Sequence, residues 1–368
     1  MDDVESLLTL DDRFRTRKPD FLVLSGDVAN TGSRAEFDRA FELLIRPLLD
    51  VTEIPTNHVI VVPGNHDIDQ GAISDLGNRG LALPFSCQSR DWQERSGYDD
   101  WCNDPGAFAE LREPFAAFRQ FAANHFGISD ADITYTRTIA VGAGGGEVDI
   151  HVVGWNTALF CGRRLLDGRV SGNRGGSPVS VEFRTNEYGG LFVGGNLIER
   201  GLSGVPPHGL FPHGGEKQAV RIAVFHHPLS WLTLPERLRL RAALAESFDF
   251  VLYGHEHEQR IVEERGTDGE CLFLPAGPSF LAGNEAKALP TAMVNPHGLA
   301  YNILTLDLET QSGTIFLRRY DPRRKLFLGW DFERFPNGEY SFRLKQSATV
   351  IYADANTMSH TLEGRTGD

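Results

Sequence analysis

Four short apolar segments of the chain lead directly into side chains that commonly bind metal ions. They read FLVLSGD at 21–27, VIVVPGNHD at 59–67, IAVFHHP at 222–228 and FVLYGHEH at 250–257. Short apolar runs with such endings are typical of buried strands covered on both faces. Sites in α/β sheets form beyond the carboxyl ends of the strands, so these endings should meet in one region. Carboxylate oxygen together with imidazole nitrogen suits Mn²⁺, Fe, Zn²⁺ or Co²⁺.

Taken singly, the four segments differ in how strongly they indicate a metal site. A lone Gly-Asp after a strand is common as a turn or helix cap, so Asp27 alone would be interpreted as structural. His-His-Pro is equally weak alone. Gly-Asn-His-Asp is more specific because three polar side chains crowd a tight turn, whereas the histidines of Gly-His-Glu-His would also serve to cap a strand. The order of all four, each after a buried strand, is what indicates a site.

In this order the segments resemble the signature blocks of the calcineurin-like metallophosphoesterases. The matching residues are Asp27 in GD, Asn65, His66 and Asp67 in GNHD, His226 in HHP, and His255 and His257 in GHEH. The resemblance extends over roughly residues 20–320, and the GNHD and GHEH pair is its most specific part. The stretches GDVANTG and VVPGNHD are similar to the bacterial branch that includes cyclic-nucleotide and glycerophosphodiester phosphodiesterases. The implied fold is α/β, a four-layer α/β/β/α sandwich of two mixed sheets flanked by helices.

The resemblance further implies a dinuclear site for two divalent ions of Mn, Fe, Zn or Co. Asp27 would bridge the two ions. Asn65, His226 and His255 would complete the shell of one ion, and His257 would bind the other. His226 is preferred to the histidine that follows it because the family's ligand lies two residues before the proline.

The same resemblance implies a hydrolytic mechanism on a small phosphoester substrate. A metal-bound hydroxide would attack phosphorus, and His66 would stabilise charge or donate a proton at the departing oxygen. Asp67 would orient His66, as carboxylates commonly do for functional imidazoles. A phosphodiesterase for a cyclic nucleotide or a glycerophosphodiester is the preferred interpretation. A nuclease or protein phosphatase with the same site is one alternative, and a catalytically impaired binding or regulatory module is another.

One family motif is missing from the sequence. The family opens with a strand ending in Asp-x-His, which should precede a helix predicted at 3–17. The only Asp-x-His, Asp149-Ile150-His151, lies inside a predicted strand and is interpreted as a coincidence, with His151 on a packed face. A start assigned too far downstream is favoured over a shortened chain or a natural degenerate member. The first strand would then be absent, and the second ion would be held weakly.

Apolar periodicity predicts the elements that position these residues. A strand at 21–24, a helix at 34–50 with its last turn distorted by Pro47, and a strand at 58–62 come first. An aromatic stripe at 107–126 predicts a helix that packs on the core rather than a ligand site. Later elements are strands at 148–155, 221–225 and 248–254 and a helix at 235–248. Alternating segments from about residue 259 to 344 predict antiparallel strands of a second sheet.

The predicted organisation is one phosphoesterase domain over residues 1–345 followed by a polar tail at 346–368. Insertions are expected at about 70–135 and 160–216. The second insertion carries several arginines that would form either a phosphate-binding lid or, preferably, a solvated loop: Arg163, Arg164, Arg169, Arg174 and Arg184.

Composition limits the partners of the chain. Its 368 residues carry a net charge of −14, so it has no general attraction for nucleic acid or anionic membranes. No apolar run approaches the length of a membrane span, and the acidic N-terminus lacks the features of a secretory signal. The four cysteines are scattered, which favours a reducing cytoplasm over a disulfide framework. The sequence leaves the oligomeric state and native metal open.

Overall fold

The computed structural model describes 12 segments of the chain: residues 18–73, 103–143, 146–161, 169–174, 177–182, 190–206, 219–255, 262–265, 270–275, 300–321, 326–329 and 336–343. The predicted helix at 3–17, the polar tail and His257 lie outside these segments. No helix within them is long and apolar enough to span a membrane.

Helices and strands alternate along the described chain, which confirms the predicted α/β class. The first part contains β1 (Leu22–Leu24), α1 (Arg34–Ala40), α2 (Arg46–Thr52), β2 (Val59–Val61), α3 (Pro105–Arg112), α4 (Ala116–Phe126), β3 (Thr134–Ala143) and β4 (Gly146–Trp155). The middle contains β5 (Arg169–Arg174), β6 (Ser177–Glu182), α5 (Gly195–Leu202), β7 (Ala219–Phe225), α6 (Leu234–Ser247) and β8 (Phe250–Tyr253). The last part contains β9 (Val262–Arg265), β10 (Glu270–Pro275), β11 (Ala300–Asp307), β12 (Ser312–Asp321), β13 (Leu326–Gly329) and β14 (Glu339–Arg343).

The central element is a six-stranded mixed sheet in the order β3-β4-β7-β8-β10-β9. Its four inner strands are parallel, and β3 and β9 pair antiparallel at the two ends. Strands β1 and β2 form a separate parallel pair, and β11 to β14 form an antiparallel sheet around β12. The segments at β9 and β10 were expected in the second sheet, but they extend the first one. Alternation reveals a strand but not its partner, because pairing is decided by long-range packing.

Both faces of the central sheet are buried around β4, β7 and β8, as expected of parallel strands. On one face Trp155, Phe225 and Val251 pack with residues of α5 and α6. On the other face, residues such as Ile222 and Phe250 share a core with β1, β2, α1, α4 and β12. This arrangement fixes the carboxyl ends of β4, β7 and β8 side by side. The full four-layer sandwich remains a prediction.

The helix predicted at 34–50 contains a wider turn in its middle. Residues Phe41–Ile45 form a π-helical turn between α1 and α2, so the distortion precedes Pro47 rather than following it. Proline lacks the N–H that would bond to the carbonyl four residues back, and its ring crowds that carbonyl, which belongs to Leu43. A single π turn at this point accommodates the conflict.

The aromatic stripe at 107–126 packs on the core, as predicted. It is divided into α3, a 3₁₀ turn at Glu113–Phe115 that contains Pro114, and α4. Phe115, Phe118 and Phe126 are buried, and Phe121 stacks on Phe37 of α1 with ring centroids 5.1 Å apart.

Candidate metal centre

Two tight turns, after β1 and β2, place Asp27 and Asn65 next to each other. Gly26 and Asp27 both have left-handed backbone angles, with φ of 100° and 58°. The turns approach so closely that a Cβ atom on Gly64 would lie 2.1 Å from Asp27 Oδ1. The main-chain N–H of His66 donates to the same Asp27 oxygen at 3.0 Å. Only glycine at position 64 leaves room for the Asp27 carboxylate.

Two further turns, after β7 and β8, bring His226 and His255 to the same place. His226 Nε2 lies 3.3 Å from Asp27 Oδ2, 3.1 Å from Asn65 Oδ1 and 3.2 Å from His255 Nδ1. His255 Nδ1 in turn lies 3.0 Å from Asn65 Oδ1. Four donor atoms from four separate turns therefore converge on one point, the donor cluster, although 228 positions separate Asp27 from His255 in the chain (255 − 27).

The spacing of the donor cluster fits a divalent transition metal. Ligand atoms about 2.1 Å from a metal are separated by roughly 3.0 Å in an octahedron and roughly 3.4 Å in a tetrahedron. The measured separations of 3.0–3.3 Å fall in this range. The set of one carboxylate, one amide oxygen and two imidazoles suits Mn²⁺, Fe, Zn²⁺ or Co²⁺.

The orientation of the His226 ring is fixed by the main chain. Its Nδ1 lies 2.7 Å from the Ser25 carbonyl oxygen, which can only accept, so Nδ1 carries the proton. In neutral His226, Nε2 then offers a lone pair toward the oxygens of Asp27 and Asn65. Electron pairs at such distances repel one another unless a cation, either a proton or a metal ion, lies between them.

The pKa values of Asp27 and His226 are shifted in the directions that favour a carboxylate next to a positive charge. Burial by itself would raise the pKa of Asp27, but the charge and hydrogen bond of His226 outweigh it and lower the pKa to about 2. Burial likewise opposes protonation of His226, yet Asp27 and the Ser25 carbonyl raise the pKa of its imidazole. Either a proton on His226 or a metal ion bound at the cluster would balance the Asp27 carboxylate.

His66 and Asp67 lie beside the cluster, but the predicted hydrogen bond between their side chains is not formed. The carboxylate of Asp67 accepts the main-chain N–H groups of Ala29 at 2.7 Å and Gly64 at 2.8 Å. His66 is half-buried, with Nδ1 3.2 Å from the Asn30 carbonyl oxygen. Asp67 therefore joins the turn after β1 to the turn after β2. Burial, together with the charge of Asp27, raises the pKa of Asp67 to about 7.

His227 also lies near the cluster, but its nitrogens face other partners. The histidines 226, 227 and 255 form a group whose ligand atoms lie within 4.8 Å of one another. His227 Nδ1, however, lies 3.1 Å from Thr157 Oγ1, and its Nε2 lies 3.7 Å from Cys161 Sγ. Burial lowers the pKa of His227 well below its usual value, so the ring is neutral. The preference for His226 as the ligand agrees with this geometry.

Asp149-Ile150-His151 lies inside β4, as predicted, and away from the donor cluster. His151 is half-buried and lies on the same face of β4 as the buried Val153 and Trp155. Its Nδ1 lies 2.9 Å from Thr138 Oγ1 on β3.

Sequence reasoning did not single out Ser25, Thr157, Cys161 or Trp231. Ser25 acts through its carbonyl oxygen, which carries no side-chain signal. Thr157 follows the end of β4, so its position beyond a parallel strand was a usable signal. Trp231 contacts the His255 ring at a centroid distance of 4.2 Å, close to the His-His-Pro segment.

Replacing Gly64 with alanine should disrupt the centre. The added Cβ would overlap the Asp27 carboxylate and main chain, so we expect at least roughly a 10-fold loss of metal affinity. Overpacking should also cost about 1–3 kcal/mol of stability. Gly142→Ala is the matched control, because a Cβ there meets no atom within 4 Å. Isothermal titration with Mn²⁺ and urea denaturation would measure both effects; equal behaviour of the two variants would contradict the close approach of the turns.

One family model matches the N-terminal part of the chain. Residues 2–157 match the family model described as calcineurin-like phosphoesterase. This match includes Asp27 and Asn65 but ends before His226 and His255. No curated protein matches the chain.

Two solved structures show a limited likeness. "GAP50 the anchor in the inner membrane complex of Plasmodium" is 11% identical, covers 94% of this chain and 84% of its own, and has a TM-score of 0.40. A hypothetical protein from Thermus thermophilus is 13% identical, covers 56% of this chain and 62% of its own, and has a TM-score of 0.22.

Proposed function

We propose that this chain is a phosphodiesterase for small phosphoesters, because residues 2–157 match the model of the calcineurin-like phosphoesterase family, whose members are metal-dependent phosphoester hydrolases. The observation that supports the proposal is the donor cluster, in which Asp27, Asn65, His226 and His255 converge with the spacing of a metal shell. Two of these residues lie outside the matched part, so the geometry supports the function independently of the family match.

The proposed metal ligands are the four residues of the cluster, with His257 added for a second, weaker ion. His257 lies outside the described residues, and its role comes from the resemblance alone. Divalent ions bound here would supply positive charge to the phosphoryl oxygens and lower the pKa of the attacking water. The two turns hold the Asp27 carboxylate and the Asn65 amide in place before substrate arrives.

His66 is proposed to act on the leaving group. Its Nδ1 lies 3.2 Å from the Asn30 carbonyl oxygen, which can only accept, so Nε2 is the ring nitrogen that would act on the substrate. In its protonated form this nitrogen would donate to the departing oxygen. Asp67 supports the reaction through the two turns that it joins rather than through the His66 ring.

A small substrate agrees better with the chain than a polyanionic one. The net charge of −14 opposes binding to nucleic acid, which makes a nuclease the weaker alternative. We place the activity in one domain over residues 1–345 that works in the cytoplasm, with the tail at 346–368 outside it. The expected insertions contribute to the core, because α4 packs on α1 and α5 packs on the central sheet.

Metal removal tests the function. The full chain, stripped with a chelator, should not hydrolyse bis(p-nitrophenyl) phosphate. Mn²⁺ should restore hydrolysis while Mg²⁺ restores less, because Mg²⁺ prefers oxygen ligands and two of the four proposed ligands are imidazoles. p-Nitrophenyl phosphate provides the comparison with monoesters. Turnover that persists without metal would exclude the proposal. Tight Mn²⁺ binding without hydrolysis of either ester would favour the binding or regulatory module.

A further inference from the structure

A second group of buried side chains packs against the two histidines of the donor cluster. Thr157 follows β4 and His227 follows β7, and both are fully buried. The Thr157 hydroxyl accepts the main-chain N–H of His227 at 2.9 Å, and the same oxygen lies 3.1 Å from His227 Nδ1. Since the hydroxyl oxygen accepts one bond, its own hydrogen is available to Nδ1. With Cys161 next to Nε2, the His227 ring is held at both nitrogens.

The His227 ring contacts both imidazoles of the donor cluster, so fixing its orientation also limits the orientations of His226 and His255. It stands perpendicular to the His226 ring at 4.7 Å and lies 4.6 Å from the His255 ring. Trp231 makes a further ring contact with His255 at 4.2 Å. His255 has φ of 65°, a left-handed angle that non-glycine residues rarely adopt, at the end of a strand. Ring packing on His227 and Trp231 therefore contributes to fixing the direction of its Nδ1.

We propose that Thr157 is a positioning residue for the metal centre, which acts through the buried ring of His227 on His226 and His255. The proposal rests on the proposed function, because it requires a cation at the donor cluster. It follows from the sheet: β4, β7 and β8 are parallel neighbours, so the turns that carry Thr157, His227 and His255 lie in sequence along one edge. Hydrogen bonds that orient ligands typically change metal affinity by about 10–100-fold when they are lost.

The test uses Thr157→Val, which removes the hydroxyl with little change in shape, and Thr157→Ser, which keeps it. Thr134→Val is the matched control. Thr134 is equally buried, on the neighbouring strand β3, and its Oγ1 makes no hydrogen bond among the described residues. Each full-length protein, freed of metal, is titrated with Co²⁺ while the visible absorption of the bound ion is recorded. This spectrum reports ligand geometry and does not depend on turnover.

We expect Thr157→Val to weaken Co²⁺ binding by at least roughly 10-fold and to shift its absorption bands. Thr157→Ser and Thr134→Val should retain the wild-type affinity and bands. Identical spectra and affinities for Thr157→Val and Thr134→Val would overturn the positioning role while leaving the metal site in place. If wild-type protein binds no Co²⁺, the proposed function fails first, so the two failures are distinguishable.

Discussion

Replacing Asp27 with alanine is expected to lower kcat/KM for a phosphodiester by on the order of 10³-fold. Asp27 supplies the only carboxylate of the donor cluster in the described part of the chain, and one of its oxygens lies 3.3 Å from His226 Nε2. Its loss would leave a cation with neutral ligands alone. Hydrolysis of bis(p-nitrophenyl) phosphate with saturating Mn²⁺ would measure the effect.

Two variants show whether the loss comes from the site. Asp27→Asn keeps the shape but removes the charge, and it should retain more activity than alanine because an amide oxygen still binds metal. Asp50→Ala changes an exposed carboxylate on α2 and should keep wild-type activity. Wild-type kcat/KM in Asp27→Ala would place the catalytic centre elsewhere.

The second large effect is expected for His226→Ala, which should abolish tight binding of the metal ion. Three donor atoms of the cluster lie within 3.3 Å of His226 Nε2, so this residue is at the centre of the group. The affinity should fall by more than the roughly 10–100-fold caused by loss of a residue that only supports a ligand. Metal content measured by elemental analysis after gel filtration gives the result.

His151→Ala is the informative control for that experiment. His151 belongs to the one Asp-x-His in the chain, and its Nδ1 lies beside Thr138 rather than among the donor atoms. Its replacement should leave the metal content unchanged. A loss of metal in His151→Ala equal to that in His226→Ala would mean that Asp149-Ile150-His151 contributes to the centre after all.

The sequence reveals the motif that contains Asp67 and His66, but it does not reveal which groups these two side chains contact. The GNHD segment was recognisable because its polar residues follow a buried strand, but the partner of each polar group was not. The Asp67 carboxylate accepts two main-chain N–H groups of tight turns, and this use prevails over contact with the His66 ring because buried main-chain donors are costly to leave unpaired. Nearly every residue carries the same main-chain N–H and carbonyl groups, so the sequence does not indicate which of them a side chain will contact.

The sequence by itself indicated which residues form the candidate centre and that each follows a short apolar strand. Apolar runs ending at Asp27, Asn65, His226 and His255 carry that information locally, because parallel strands buried on both faces require continuous apolar residues. The same periodicity placed the core helices and strands within a few residues of their observed ends.

Only the tertiary structure decided how those residues are held. The Ser25 carbonyl that orients His226 lies 201 positions away, and the Thr157 hydroxyl that holds His227 lies 70 positions away. The tertiary structure likewise decided that β9 and β10 belong to the central sheet. Periodicity reports which face of an element is buried, whereas hydrogen bonds and strand pairing between distant segments depend on packing in three dimensions.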